Sequence, residues 1–470
     1  MKEISSKIPS VSECLAAADD TRCMLLKEDA LGGIPEVLKA YYCENGGKEC
    51  AAFCFSDKNT FKAAGKTVEG VLASAGIELA GSFVFEGGIH ADYEHVGTIK
   101  NELEKAQKNA SGGQSVLVPI AVGAGTINDL VKRASGESGL PYLCVPTAAS
   151  VDGYTAYGSA LLHEGFKQTM SCKAPLALVA DPKILADAPA YLSSSGFGDL
   201  AGKIIAGTDW IIADCVFELD GKGELAPGTA AIDSTAWMMV QNPLKANIAS
   251  SVNAAKGDRA AVNVLFEALG VTGFALQYMK DSRSVSGCEH MLSHVWEMEN
   301  LCVNGVPVTH GHKVAMGTLA AAAFTECLFT EKPPLSKKIP DWAGQEKTIR
   351  DAFCGVKQLL PAILETARSK FICDGAKLIK LREGILDSWD TLKNDIFERL
   401  PPFKELYALF CEAGCPVMPE TINLTNRRVL ESTVKAQMIR KRFTVLDMAF
   451  ELGVFDSVIK KMESKGYFGG

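Results

Sequence analysis

The sequence has little histidine, no CxxC pair, no long basic stripe, no internal repeat and no low-complexity segment. Each absence narrows the reading. Without a basic stripe, and at a formal net charge of -8, nucleic acid is not an expected partner. Arg440, Lys441 and Arg442 form one short basic cluster, read most simply as a solvated helix face. Without a CxxC pair, the 15 cysteines suggest no paired framework. The opening stretch, MKEISSKIPSVSECLAAADD, carries no apolar signal core. Scattered thiols and no export signal predict a reducing, cytoplasmic setting. The long uncharged run Asn109–Asn128 is broken by Pro119 and several glycines, so it reads as strand plus turn and not as a membrane span.

What is present is an ordinary globular composition, 47% hydrophobic and 22% charged, on a chain of 470 residues that predicts at least a pair of domains. Short apolar runs alternate with helical stretches over the first part. AAFCFSD, SFVFEGG, SVLVPIAVGAG, PYLCVP and PLALVAD read as strands of a parallel sheet with helices on both faces. From about residue 189 apolar residues recur at helical spacing and no convincing strand remains. The expected organisation is a Rossmann-like α/β nucleotide-binding domain over 1–188, then an all-helical metal- and substrate-binding domain over 189–470, with the active site in the cleft between them.

VGAGTINDLV joins a buried-looking strand to a helix. Gly123 and Gly125 let backbone N–H groups approach a ligand, and the helix start adds unpaired N–H groups and a positive dipole end, so the turn could cradle a phosphate. It is not a GxGxxG fingerprint, because Asn128 stands at the third glycine position. Thr147, Ser150 and Asp152 follow the next strand, where ligands of open α/β sheets bind. Asp57 also ends a strand and could hold a ribose hydroxyl pair. At each of these positions a plain turn or helix cap competes with the functional role.

The chain places His290 and His294 on one helical face, and His310 and His312 close behind. Asp199 opens a helix upstream. Alone, each is a cap or a hydrogen-bonded surface histidine. Together, one carboxylate and several imidazoles form the usual ligand set for zinc, iron or nickel. A metal beside a nicotinamide suits alcohol–ketone interconversion.

The runs GAGTINDL, VPTAASVDGY, GFGDLAGK, SGCEHMLSHVWEM, HGHKVAMGT and KRFTVLDMAFELGV occur in this order. Through them the chain resembles the sn-glycerol-1-phosphate dehydrogenases, within the dehydroquinate synthase-like and iron-containing alcohol dehydrogenase superfamily. The resemblance implies an NAD(P)- and metal-dependent oxidoreductase of phospholipid metabolism that interconverts dihydroxyacetone phosphate and sn-glycerol 1-phosphate. Its cofactors would be NAD or NADP and one divalent metal, zinc first, with nickel or iron as alternatives. Gly123, Ala124, Gly125, Thr126, Ile127, Asn128 and Asp129 would hold the pyrophosphate, Thr147 and Ser150 the nicotinamide side, and Asp57 the adenosine side. Asp199, His290 and His310 would bind the metal. Asp152, Asp199 and His294 would contact substrate, with His294 a candidate proton relay and His312 a bystander. Arg283, Lys203 and Lys313 are candidates for the substrate phosphate. The expected partner is a small phosphorylated polyol or ketone, and the expected assembly a homo-oligomer. Rival readings are a glycerol or other polyol dehydrogenase, a dehydroquinate synthase-like cyclase, and a non-catalytic nucleotide-binding homologue. This chain departs from the pattern at Ala124, where a glycine is usual, at Ala156, where a cofactor-contacting serine is usual, and in extra length around 217–260 and 330–385.

Overall fold

The computed structural model describes residues 5–43, 49–109, 115–163 and 166–468. It resolves into two compact units. One comprises Ile8–Leu200 and Lys245–Lys280; the other comprises Met1–Lys7, Ala201–Leu244 and Asp281–Gly470. Relative to the sequence boundary at 188/189, this partition shifts the division to Leu200 and returns Lys245–Lys280 to the α/β unit.

The α/β unit holds a six-stranded sheet in the order β1-β8-β5-β4-β2-β3. Its strands are β1 (Cys23–Leu26), β2 (Cys50–Asp57), β3 (Glu78–Phe85), β4 (Val116–Gly123), β5 (Leu143–Pro146) and β8 (Ala177–Ala180). All their pairings are parallel. β6 (Ser159–His163) and β7 (Phe166–Met170) form a separate antiparallel hairpin. The central strands β4, β5 and β8 are buried almost throughout, which explains their near-continuous apolar sequences. Residues 110–114, the start of the uncharged run before β4, lie outside the described residues.

Two helices on one side of β4 are α1 (Tyr93–Asn109) and α2 (Gly125–Glu137). Glu137 ties them together. Its carboxylate accepts from Tyr93 Oη (2.6 Å), Lys100 Nζ (2.7 Å) and Arg133 Nε (2.7 Å). Burial raises its pKa, but these three donors outweigh burial and hold it at about 2. A carboxylate depressed in the folded state stabilises the fold above its unfolded pKa, and that stability is lost as pH falls towards the folded pKa. We therefore expect Glu137→Gln to cost about 1–3 kcal/mol at pH 7. The cost should shrink steadily below about pH 4.5 in urea titrations; a pH-independent cost would exclude the linkage.

The long helix α3 (Ala190–Glu218) runs through the division at Leu200 and Ala201. α4 (Arg259–Met279) is long and apolar enough to cross a membrane, yet 72% of its most apolar window is buried inside the protein. It packs on the helices Val11–Ala17 and Pro182–Ala186. Burial on several faces, as in a core helix, gives the same composition as a span.

The other unit is helical, with one departure from the all-helical expectation. Cys302–Val303 pairs antiparallel with Val306–Pro307 in a minimal hairpin. Its principal helices for the site are α5 (Cys288–Met298), α6 (His310–Leu328), α7 (Asn426–Ala436) and α8 (Val445–Glu451). The extra length around 330–385 builds the helices Trp342–Ala352, Leu360–Lys370 and Gly375–Asp387. It docks through buried cations. Lys370 Nζ reaches Asp447 Oδ1 (2.6 Å) and the Gln437 carbonyl, and Arg382 donates to the carbonyls of Glu451 (2.5 Å), Ser336 (2.7 Å) and Lys338 (2.8 Å). The added segment thus fixes the chain from 437 to 451.

One disulfide, Cys43–Cys50, departs from the expectation of unpaired thiols, and 13 cysteines are free among the described residues. The pair joins the start of β2 to Cys43, the last residue of the helical segment Lys39–Cys43, seven positions earlier in the chain.

Candidate metal centre and nucleotide turn

α5 carries His290 and His294, and α6 begins at His310. α5 has no side-chain cap of its own at Gly287. Instead Asp209 of α3 accepts the Cys288 N–H at Oδ2 (2.7 Å) and the Val445 N–H at Oδ1 (2.7 Å). One buried carboxylate thereby starts both α5 and α8. Burial and the nearby Glu289 raise its pKa to about 7 against these two N–H donors. Small residues bring the helices close. A Cβ at Gly317 of α6 would lie 2.3 Å from the Glu289 carbonyl, and one at Gly202 of α3 would lie 2.6 Å from Val314. This packing locks the register of α3, and Asp199 lies one turn before Gly202 on that helix.

Asp199, His290 and His310 each offer one ligand atom, and these atoms lie within 4.8 Å of one another. Asp199 is fully buried, and its Oδ2 accepts the Asp152 N–H at 3.0 Å. His290 Nδ1 faces Glu289 Oε1 at 2.6 Å, and His310 Nδ1 faces Glu297 Oε1 at 3.0 Å. An ionised carboxylate can only accept, so each Nδ1 carries the proton and each Nε2 keeps the lone pair a metal needs. An oxygen donor with two imidazoles oriented in this way fits a divalent metal of the zinc, iron or nickel type.

Glu297 does more. Its Oε2 accepts from His294 Nδ1 (3.0 Å), while Oε1 also receives Lys313 Nζ (3.2 Å). His294 Nε2 in turn accepts from Arg440 Nη2 (3.1 Å). Burial and the Arg440 charge outweigh Glu297 and pull His294 down to about 3. His294 is thus a neutral ring with both nitrogens defined, lying 6.4 Å and 6.3 Å, ring centre to ring centre, from His290 and His310. His312 lies outside the group; burial pulls it down to about 4. A second buried group, Asp209, Cys288 and Glu289, also clusters. Its Asp209 is committed to two backbone N–H groups, and burial with Asp209 raises the Cys288 thiol, so it suits a metal poorly.

In the α/β unit the turn at Gly123 joins a strand to a helix, the local geometry its sequence suggests. β4 ends at Gly123, Ala124 caps α2 in extended conformation, and no side chain occupies the cap. The Thr147 N–H donates to the Gly123 carbonyl (3.2 Å), bringing the segment after β5 alongside. Thr147 is buried, and the Ser150 hydroxyl pairs with Tyr154 Oη at 3.0 Å. Within the turn the residues differ. Ile127 and Asn128 are buried, and Asn128 is tied to the Gly153 carbonyl (3.3 Å) and to Tyr142 Oη (3.0 Å). Asp129 lies 3.8 Å from Lys132. Gly125 and Thr126, at the first turn of α2, are the half-buried members with backbone N–H groups at the helix start. Asp57 caps the short helix Lys58–Thr60 through Oδ1, accepting the Asn59 and Thr60 N–H groups at 2.8 and 2.9 Å. Lys132 is fully buried and donates to the carbonyls of Gly153 (2.6 Å), Ala156 (2.9 Å) and Gly158 (3.1 Å), fixing the loop that carries Asp152. Thr155, beside Ala156, is turned onto α4 through the Gly270 carbonyl (2.8 Å).

Three contributors escaped the sequence reading. Glu289 and Glu297 had a signal: one adjoins His290, and the other lies three residues past His294 on the same face. Arg440 had none, being 146 residues from His294. The reading of 440–442 as a solvated helix face needs correction. The segment is an irregular link between α7 and α8; Arg442 is buried, Arg440 half-buried, and Lys441 alone of the three exposed. Of the phosphate candidates, Lys313 is tied to Glu297 and Arg283 to Asp281, and Lys203 is fully buried.

Residues 26–189 match the iron-containing alcohol dehydrogenase family. A glycerol-1-phosphate dehydrogenase [NAD(P)+] from Geobacillus thermodenitrificans is 33% identical over 392 residues, covering 83% of this chain and 84% of the relative. One of the same name from Bacillus velezensis is 36% identical over 262 residues, covering 55% of this chain and 61% of the relative. The crystal structure of glycerol dehydrogenase from Schizosaccharomyces pombe shares the fold, with a TM-score of 0.54 and 15% identity over 96% of this chain and 92% of that one.

Proposed function

Because the chain belongs to the glycerol-1-phosphate dehydrogenase family, we propose that it interconverts dihydroxyacetone phosphate and sn-glycerol 1-phosphate by hydride transfer at C2, using NAD or NADP and one divalent metal. The observation that carries this reading is the group Asp199, His290 and His310, with Nδ1 of each histidine held by its own carboxylate. These three residues would hold the ion, zinc in the first instance, which when bound supplies Lewis acidity at the substrate oxygen.

The remaining work belongs to the chain. The N–H groups at the start of α2 receive the cofactor pyrophosphate, with Gly123, Ala124 and Gly125 allowing close approach. Thr147 and Ser150 line the nicotinamide side, and Asp57 the adenosine side. Asp152 orients Asp199 through its backbone N–H and faces substrate with it. His294 serves substrate as a neutral hydrogen-bonding ring. With a pKa of about 3 it is a weak base, which supports a binding role over proton uptake near neutrality. The 13 free cysteines among the described residues favour a reducing, cytoplasmic compartment, with the Cys43–Cys50 disulfide as the exception.

The test is a panel of sn-glycerol 1-phosphate, sn-glycerol 3-phosphate, glycerol and other polyols, followed by reduced-nicotinamide absorbance. The sn-1 ester should exceed both the sn-3 isomer and glycerol in kcat/KM by at least about tenfold. Equal or better turnover of glycerol would move the protein to the polyol dehydrogenases. A cyclisation without net NADH change would move it to the synthases.

A further inference from the structure

α2 does more than open with the turn at Gly123. Asn128 and Lys132 lie four residues apart on one face of it, and both donate to the Gly153 carbonyl, at 3.3 and 2.6 Å. Lys132 is fully buried, and its Nζ also donates to the carbonyls of Ala156 (2.9 Å) and Gly158 (3.1 Å). Asp129 of the same helix lies 3.8 Å away as a counter-charge. An ammonium has three N–H donors and no acceptor. Those of Lys132 are taken up by carbonyls of one loop, which wraps round a single buried cation from 153 to 158 and leaves it no donor for a phosphate.

The loop is held from its other side by α4. Thr155 Oγ1 donates to the Gly270 carbonyl (2.8 Å), and Gln277 Nε2 donates to the Thr155 carbonyl (2.5 Å). The approach is close: a Cβ at Gly273 would lie 2.0 Å from Thr155 Oγ1. A loop pinned on two sides has one position, and Asp152 passes that position on. Its N–H donates to Asp199 Oδ2 at 3.0 Å, and Gly153, held by Lys132, is the next residue along.

We propose that Lys132 is a positioning residue for the metal ligand Asp199. It fixes where the Asp152 N–H meets that carboxylate. It also fixes the carboxylate relative to the cofactor turn, because the turn opens the same helix, about 10 Å away along its axis. This rests on the dehydrogenase reading above and deepens it by naming what keeps the metal ligand and the cofactor turn of the α/β unit in register. Thr155 holds the loop three residues from Asp152, so the α4 side sets the place of the loop and the Lys132 side sets the direction of the Asp152 N–H.

The experiment uses the full chain with Lys132→Met, Lys132→Gln and Lys132→Arg. Glu137→Gln is the control, because it weakens the same helix through Tyr93, Lys100 and Arg133 and has no bond to the loop among those of its carboxylate. The measurements are melting temperature, the zinc dissociation constant by chelator competition, the dissociation constants of NADH and NADPH, and kcat on sn-glycerol 1-phosphate. In Lys132→Met the zinc dissociation constant should rise about tenfold to hundredfold. kcat should fall by a similar factor, and binding of the reduced cofactor should hardly change. Lys132→Arg should recover part of both losses, and Glu137→Gln should lower the melting temperature alone. Should Lys132→Met not fold, Lys132→Gln keeps two N–H donors and is read in the same way, with a smaller rise. Unaltered zinc affinity in the folded variant overturns the proposal. So does an equal rise in Glu137→Gln, which would make the effect one of stability, and so does an equal loss of cofactor binding, which would mean that α2 itself has moved. If the unaltered enzyme turns over no member of the polyol panel, the dehydrogenase reading fails. The zinc dissociation constants still decide whether Lys132 positions Asp199.

Discussion

His290→Ala is expected to purify with little metal and to lose at least about a thousandfold in kcat/KM, more than the tenfold to hundredfold typical of outer carboxylates around a metal. The reason lies in what the substitution leaves behind. Asp199 is fully buried, and a buried carboxylate is costly unless a cation or several donors answer it. The Asp152 N–H donates to it. With His290 gone, two ligands remain of the three, and Glu289 keeps only the Gly287 N–H of the partners resolved for its Oε1. The apo-protein should still fold, at a cost of about 1–3 kcal/mol for the broken bond at Glu289. His294→Ala is the contrast. It should keep its metal and lose about tenfold to hundredfold in kcat/KM, because its ring binds Glu297 and Arg440 and lies outside the ligand group. Metal analysis of both variants beside the unaltered protein checks this. Full occupancy in His290→Ala, or equal metal loss in the two, would refute the ligand assignment.

The sequence made the sheet legible where its strands are buried on both faces. β4, β5 and β8 read as apolar runs because no surface interrupts them. β1, only Cys23–Leu26, and the β6–β7 hairpin were missed, being short or polar in alternation. Asp199, His290 and His310 could be chosen because the residue types for metal binding are few and appear in a recognisable order. Their carboxylate partners were visible only as helix neighbours. The arginines were misread for a physical reason. An arginine's charge says nothing about whether its field is answered by water or by Asp281, and that depends on chain segments about 150 residues apart. The turn at Gly123 shows the converse limit. Asn128 matched a family position, yet its amide is committed to Gly153 and Tyr142, so a motif position can serve the loop that presents a ligand.

Glu297→Gln should be far more harmful than an isosteric change suggests. The carboxylate accepts from three donors: His310 Nδ1 and Lys313 Nζ on Oε1, and His294 Nδ1 on Oε2. An amide has one accepting oxygen and one donating NH₂. If the oxygen stays with His310 and Lys313, the NH₂ meets His294 Nδ1. That ring must then carry its proton on Nε2, where it faces the Arg440 N–H, donor against donor. If the amide flips, the NH₂ faces the Lys313 ammonium, and His310 must move its proton to Nε2, the nitrogen the metal needs. Neither orientation preserves both tautomers. The metal dissociation constant should rise about tenfold to hundredfold, with a stability loss of about 1–3 kcal/mol. The two orientations are separable. In the first, the conflict runs through Arg440, so adding Arg440→Ala should relieve part of the damage to stability and the two effects will not add. In the second, Arg440→Ala relieves nothing, its own cost adds to that of Glu297→Gln, and the loss of metal affinity is undiminished. Glu297→Gln with unaltered metal affinity and stability would show that His294 and His310 do not depend on this carboxylate for their tautomers.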